Sequence, residues 1–143
     1  MASTRVVSYW TSTGIIALAF LSGGLAYLAG VEETLRGMAE LGYPAYFVTI
    51  LGVWKTLGAV ALVVPGLPRL KEWAYAGIAF DLIGAAASHA AVGHPAVKVA
   101  APLVVLAIAA VSWALASQRR STEAVRRPLE GGPLEGGRLK EAA

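Results

Sequence analysis

The sequence predicts an all-α membrane protein: a four-transmembrane-helix antiparallel bundle with a short amphipathic helix at the outer interface, in its first loop. Three observations predict it. Hydrophobic residues make up 57% of the 143 positions and charged residues 15%, against roughly 45–50% and about 25% in a soluble domain. The charges are clustered, so that four stretches of about 20 residues are left nearly free of them, the length that an α-helix needs to cross roughly 30 Å of hydrocarbon. Those stretches are continuous and rich in Ala and Leu, rather than alternating as membrane strands do.

The first span covers about 9–30 and holds no Asp, Glu, Lys or Arg. In the loop that follows, Val31, Leu35 and Met38 recur at helical spacing, with Glu32, Glu33, Arg36 and Glu40 on other faces. That pattern predicts the interfacial helix. The second span covers about 46–64 and is interrupted only by Lys55. Pro65-Gly66-Leu67-Pro68 is a tight turn that leaves little slack between neighbouring helices. The third span covers about 73–92 and contains Asp81 and His89. Gly93-His94-Pro95 is again too short for anything but adjacent helices. The fourth span covers about 97–117. Residues 1–120 are thus expected as the membrane domain. Residues 121–143, where Pro-Leu-Glu-Gly-Gly occurs twice in tandem, are expected as a disordered cytoplasmic tail.

With four spans, both termini and the second loop share one side. That side carries Arg5, Arg69, Lys71, Arg119, Arg120, Arg126, Arg127, Arg138 and Lys140, and the other carries Arg36 and Lys98. The positive-inside rule then places both termini in the cytoplasm. The net charge of +3 is accounted for by these membrane flanks, whose partner is the anionic bilayer surface. No basic–aromatic platform suggests nucleic acid. Trp10, Trp73, Trp113, Tyr43, Tyr46 and Tyr75 lie near span ends, where interfacial anchors are expected.

The candidate site follows from cost. A charge at the bilayer centre costs at least about 2.5–3.5 kcal/mol. Lys55 and Asp81 lie at matching depth on consecutive helices and offset part of that cost by pairing. Trp54 sits beside Lys55 at mid-depth, and Ser88 and His89 continue the Asp81 helix towards its outer end. Small residues at helical spacing mark the expected inward faces: Ala19, Gly23, Ala26 and Gly30 on the first helix, Gly52 and Gly58 on the second, Gly77 and Gly84 on the third, Ala107, Ala110 and Ala114 on the fourth. No metal site is expected, since one helical His89 and one loop His94 lack ligand spacing. The absence of cysteine excludes thiol nucleophiles, dithiol redox centres and iron–sulfur ligation.

The segments Gly52-Val53-Trp54-Lys55-Thr56-Leu57-Gly58 and Pro68-Arg69-Leu70-Lys71-Glu72-Trp73-Ala74-Tyr75-Ala76-Gly77, with Leu41-Gly42-Tyr43-Pro44 before them and Gly84-Ala85 and Ser88-His89 after them, resemble the DoxX-like family over roughly residues 10–117. The resemblance implies a four-helix bacterial inner-membrane protein with a link to quinone or thiol stress, and marks Lys55 and His89, with Asp81, as site residues. Three functions are compatible with these residues. One is binding of a quinone-like apolar molecule or a redox protein partner around Lys55, Asp81, Trp54, Ser88 and His89. Another is a small membrane enzyme, an isomerase, cyclase or hydrolase, with Asp81 as acid or base and Lys55 polarising an oxygen. The third is a transporter or assembly chaperone, in which case four helices imply a homodimer.

Overall fold

The computed structural model describes residues 2–130. Its described residues form α1 (Ala2–Leu28), α2 (Glu32–Glu40), α3 (Ala45–Val63), α4 (Pro68–Ala91) and α5 (Ala96–Glu130), with no strand among them. Three of these helices contain segments long and apolar enough to cross a membrane: Val6–Leu28, Ala45–Val63 and Ala96–Gln118. The 24 residues of α4 are also long enough. However, Asp81 interrupts its apolar run and Arg69, Lys71 and Glu72 charge its start.

The long helices pack in a ring, α1 on α3, α3 on α4, α4 on α5 and α5 on α1. The core draws on all four, with Ile16 and Phe20 from α1, Ala59 and Leu62 from α3, Tyr75, Ile78 and Leu82 from α4, and Ala109 from α5. Outward, Leu18, Phe80, Val97 and Val104 are exposed. A surface so rich in large apolar side chains belongs in lipid, where every helix satisfies its own backbone hydrogen bonds.

The helices differ from the sequence expectation in three places. First, α5 runs to Glu130 rather than ending near Ser117. Ser121 to Arg127 contain no Gly or Pro and include Glu, Ala and Arg, which extend a helix at little cost. Residues 121–130 of the expected tail are thus helical, and its residues 131–143 lie outside the described ones. Second, the inward faces are displaced. On α1 the buried line is Tyr9, Thr13, Ile16, Phe20 and Gly24, while Ala19 is exposed. Gly77 and Gly84 on α4 are exposed, as are Ala107 and Ala110 on α5. Large side chains, not small ones, define the inward face of α4 (Tyr75, Ile78 and Leu82), because aliphatic burial outweighs close backbone approach there. Third, Tyr75 is no interfacial anchor. Its ring is buried and its hydroxyl lies 2.7 Å from Ser112 Oγ.

Close approach does occur between α1 and α3, at Gly24 and Gly52. A Cβ added to Gly24 would lie 2.6 Å from Thr56 Oγ1 and 2.9 Å from both the Gly52 carbonyl oxygen and the Thr56 nitrogen. Two of those three are backbone atoms and cannot swing aside. One residue earlier, a Cβ on Gly23 would meet nothing within 4 Å.

Ser112 joins three helices. Its Oγ is 2.7 Å from Thr13 Oγ1 on α1 and 2.7 Å from the Tyr75 hydroxyl on α4. Thr13 and Ser112 have no exposed surface, so water is not there to replace the bond between them. Two outcomes follow for unfolding measured in mixed micelles. Gly24→Ala should destabilise by about 1–3 kcal/mol through overpacking, whereas Gly23→Ala should change stability by less than about 0.5 kcal/mol. Ser112→Ala, which removes both of these bonds and leaves Thr13 without its partner on α5, should cost more than Tyr75→Phe, which keeps Thr13 and Ser112 paired; a bond of this kind is worth about 1 kcal/mol.

Candidate functional site

Lys55 is near the middle of α3, in a segment with no other charged residue. Asp81 is a little past the middle of α4. The side chains meet: Lys55 Nζ donates to Asp81 Oδ2 at 2.7 Å. Only 16% and 14% of the two side chains is exposed. The ammonium is also held by α1, 4.4 Å from the centroid of the Phe20 ring and 5.7 Å from that of Tyr27. Aromatic faces carry negative charge density, so they replace part of the lost hydration of the cation. Three helices thus fix one ion pair.

The pair lies at one end of a groove between α3 and α4 with a volume of about 590 Å³. Along α3 the groove is lined by Leu51, Trp54, Lys55, Leu57, Gly58 and Ala61, and along α4 by Leu70, Trp73, Ala74, Gly77, Phe80 and Asp81. Trp54, Trp73 and Phe80 stand exposed at its rim. Gly58 and Gly77 leave its wall bare, since a Cβ on either would meet nothing within 4 Å. The lining is apolar except at Lys55 and Asp81. Of the three donors that an ammonium carries, one is committed to Asp81. Chemically the arrangement is a hydrophobic slot with one cationic donor, suited to an acceptor oxygen on an apolar body.

Of the residues expected at the site, the structure brings Lys55, Asp81 and Trp54 together. Ser88 and His89 are elsewhere. They lie about two turns along α4 from Asp81 and do not line the groove. Ser88 Oγ is within 2.7 Å of the Tyr43 hydroxyl, and donates to the Gly84 carbonyl oxygen at 2.8 Å. His89 Nδ1 is 2.7 Å from His94 Nδ1. The cause of this second contact is the end of α4. Gly93, with φ +72, allows the Gly93 and His94 amides to bond back to the Ala90 and His89 carbonyl oxygens. Such a cap sets the residues three before and two after the helix end side by side, and here both are histidine.

Sequence reasoning missed Phe20 and Tyr27, which are seven residues apart on α1 and hence on one face. An aromatic pair at that spacing opposite a buried lysine was the available signal. It also missed the link from Tyr27 to the surface. The Tyr27 hydroxyl donates to Met38 Sδ at 3.6 Å, joining α1 beside the ion pair to α2. Near the other end, Trp113 Nε1 donates to Glu72 Oε2 at 2.7 Å and ties α5 to the start of α4.

Breaking the pair should be costly and replacing it should not. Lys55→Met leaves a partly buried carboxylate without its counter-charge and should destabilise by about 3–5 kcal/mol. The double variant Lys55→Met with Asp81→Leu should recover most of that loss, because an apolar replacement of a buried pair is often neutral. Urea unfolding of the three proteins in the same micelles measures both.

No curated protein and no solved structure matches the chain. The family model described as the DoxX-like family matches residues 11–112. That match takes in α1 from Thr11 onward, α2 to α4 and the part of α5 up to Ser112, including Lys55, Asp81 and the groove around them. This chain belongs to the DoxX-like family.

Proposed function

We propose that this protein is a four-span antiparallel bundle of the bacterial inner membrane, with both termini cytoplasmic, that binds a small apolar molecule at the Lys55–Asp81 centre. The observation that carries the reading is the groove: about 590 Å³ of apolar space whose polar lining is confined to one ion pair. The ligand class that fits is quinone-like, an apolar body with a carbonyl oxygen able to accept from Lys55 Nζ.

The fourth span follows from the pair itself. Asp81 is the charge inside the apolar run of α4, and it is countered within the fold by Lys55 at 2.7 Å. With α4 crossing, the basic residues of the α3–α4 turn and of the C-terminal segment share one side, which the positive-inside rule makes cytoplasmic.

Any redox role rests on a bound quinone or on a protein partner, because the chain has no cysteine. Catalysis by Asp81 requires a free carboxyl, and the contact with Lys55 gives that reading no support. Nothing in the described residues favours transport, assembly or a homodimer.

Purified protein, titrated with decylubiquinone while its tryptophan fluorescence is followed, should show saturable quenching. The Lys55→Met, Asp81→Leu double variant should bind about tenfold or more weakly, the loss of one hydrogen bond to a charged donor. Equal binding by the double variant would place the ligand elsewhere. Absence of any saturable signal would count against the reading.

A further inference from the structure

The groove has a direction. On α4, Asp81 is its limit on one side, and the rest of its α4 lining, from Phe80 through Gly77 and Trp73 to Leu70, runs from there towards the α3–α4 turn. On α3 the lining starts at Leu51, one turn beyond Lys55, and then runs the same way through Trp54, Lys55, Leu57 and Gly58 to Ala61. Trp73 is eight residues from Asp81, which is about 12 Å along the helix. The polar end of the groove is therefore near mid-membrane, and the apolar end is near the headgroup level.

That polarity is opposite to the polarity of a bilayer lipid. A phospholipid keeps its headgroup at the interface and its chain ends at the centre. Lying in this groove, it would put a terminal methyl against Lys55 and Asp81 and leave the donor unmatched. Bringing its charged headgroup to Lys55 instead would carry that group into hydrocarbon, at a cost of several kcal/mol. An uncharged molecule with a single acceptor oxygen has no such constraint.

Resting on the binding reading above, we infer that the groove takes its ligand head-inward, with the acceptor oxygen on Lys55 at mid-membrane and the apolar body lying along Gly58 and Gly77 towards Trp73. The ligand class is thus neutral and single-headed, with an apolar body about 12 Å long or more, and excludes molecules with a charged headgroup. Gly58 and Gly77 are its steric determinants. They leave the slot open without supporting the helix packing, since neither has an atom within 4 Å of where its Cβ would be.

The test uses the full chain in nanodiscs and two single-tryptophan variants, one retaining Trp73 and one retaining Trp54. The probe is a twelve-carbon methyl ketone with bromine, a contact quencher of tryptophan, at the end remote from the carbonyl. The expected result is saturable quenching that is stronger for Trp73 than for Trp54 and is displaced by the unbrominated ketone. In the Trp73 background, Gly77→Leu or Gly58→Leu should abolish the saturable part, while Gly84→Leu, an exposed position outside the groove, should keep it. Circular dichroism checks the helicity of each variant, and either of the two groove substitutions suffices.

Saturable quenching that is equal at the two tryptophans, or stronger at Trp54, overturns the orientation and leaves the binding reading standing. So does saturable quenching that survives Gly58→Leu and Gly77→Leu. In nanodiscs of phosphatidylcholine brominated on its acyl chains, quenching of Trp73 that the unbrominated ketone fails to relieve identifies a lipid as the occupant and overturns the inference. No saturable quenching at either tryptophan overturns the inference and the binding reading together.

Discussion

Everything in this molecule is arranged around the problem of keeping two opposite charges inside an apolar bundle. Lys55 and Asp81 are individually too expensive to bury. At 2.7 Å, with two aromatic rings of α1 beside the ammonium, they form a unit that a low-dielectric interior tolerates. The requirement is stringent, because three helices must hold their relative register to within about an ångström to keep that geometry. The Gly24–Gly52 crossing fixes α1 against α3 one turn from Lys55, and the Thr13–Ser112–Tyr75 hydroxyls fix α1, α5 and α4 against each other. These contacts are of different chemistry, yet each constrains the same ring of helices.

The polar network also shows what hydrogen bonds between helices do in a helical membrane protein. Backbone groups are satisfied within each helix, and shape decides most of the packing. Among the described residues, side-chain bonds tie specific pairs, such as Trp113 to Glu72 between α5 and α4, Tyr43 to Ser88 between the start of α3 and the far end of α4, and Tyr27 to Met38 between α1 and α2. They occur near both ends of the helices as well as in the middle, so that α4, the helix whose apolar run Asp81 interrupts, is held along its whole length.

Much of this could be read in the sequence. Charge-free runs located the long helices, and Pro/Gly turns set their order. The cost of an intramembrane charge singled out Lys55 and Asp81, and helical rise alone put them at the same depth. What could not be read was rotation. One sequence fixes the period of a helix but not which of two adjacent small residues faces a neighbour, and so Gly23 was favoured where Gly24 makes the contact. Small residues are ambiguous for a physical reason: they suit a tight crossing, and they suit equally the open wall of a groove, as at Gly77. Tyr75 was misread for the same kind of reason, since a tyrosine near a span end anchors at an interface unless a buried hydroxyl on another helix awaits it. Ser88 and His89 fell on the expected helix but beyond the reach of the groove.

The groove has Trp54, Trp73 and Phe80 exposed along its rim, on the apolar outer face between α3 and α4. Anything that enters from that face is dissolved in the bilayer before it is bound. Its effective concentration is then a mole fraction among lipids, not a molarity in water. An apparent affinity measured in micelles or vesicles would therefore shift with the amount of lipid present, although no contact in the protein had changed. For a protein of this build, the membrane is a reagent in the binding equilibrium as well as the solvent of the fold.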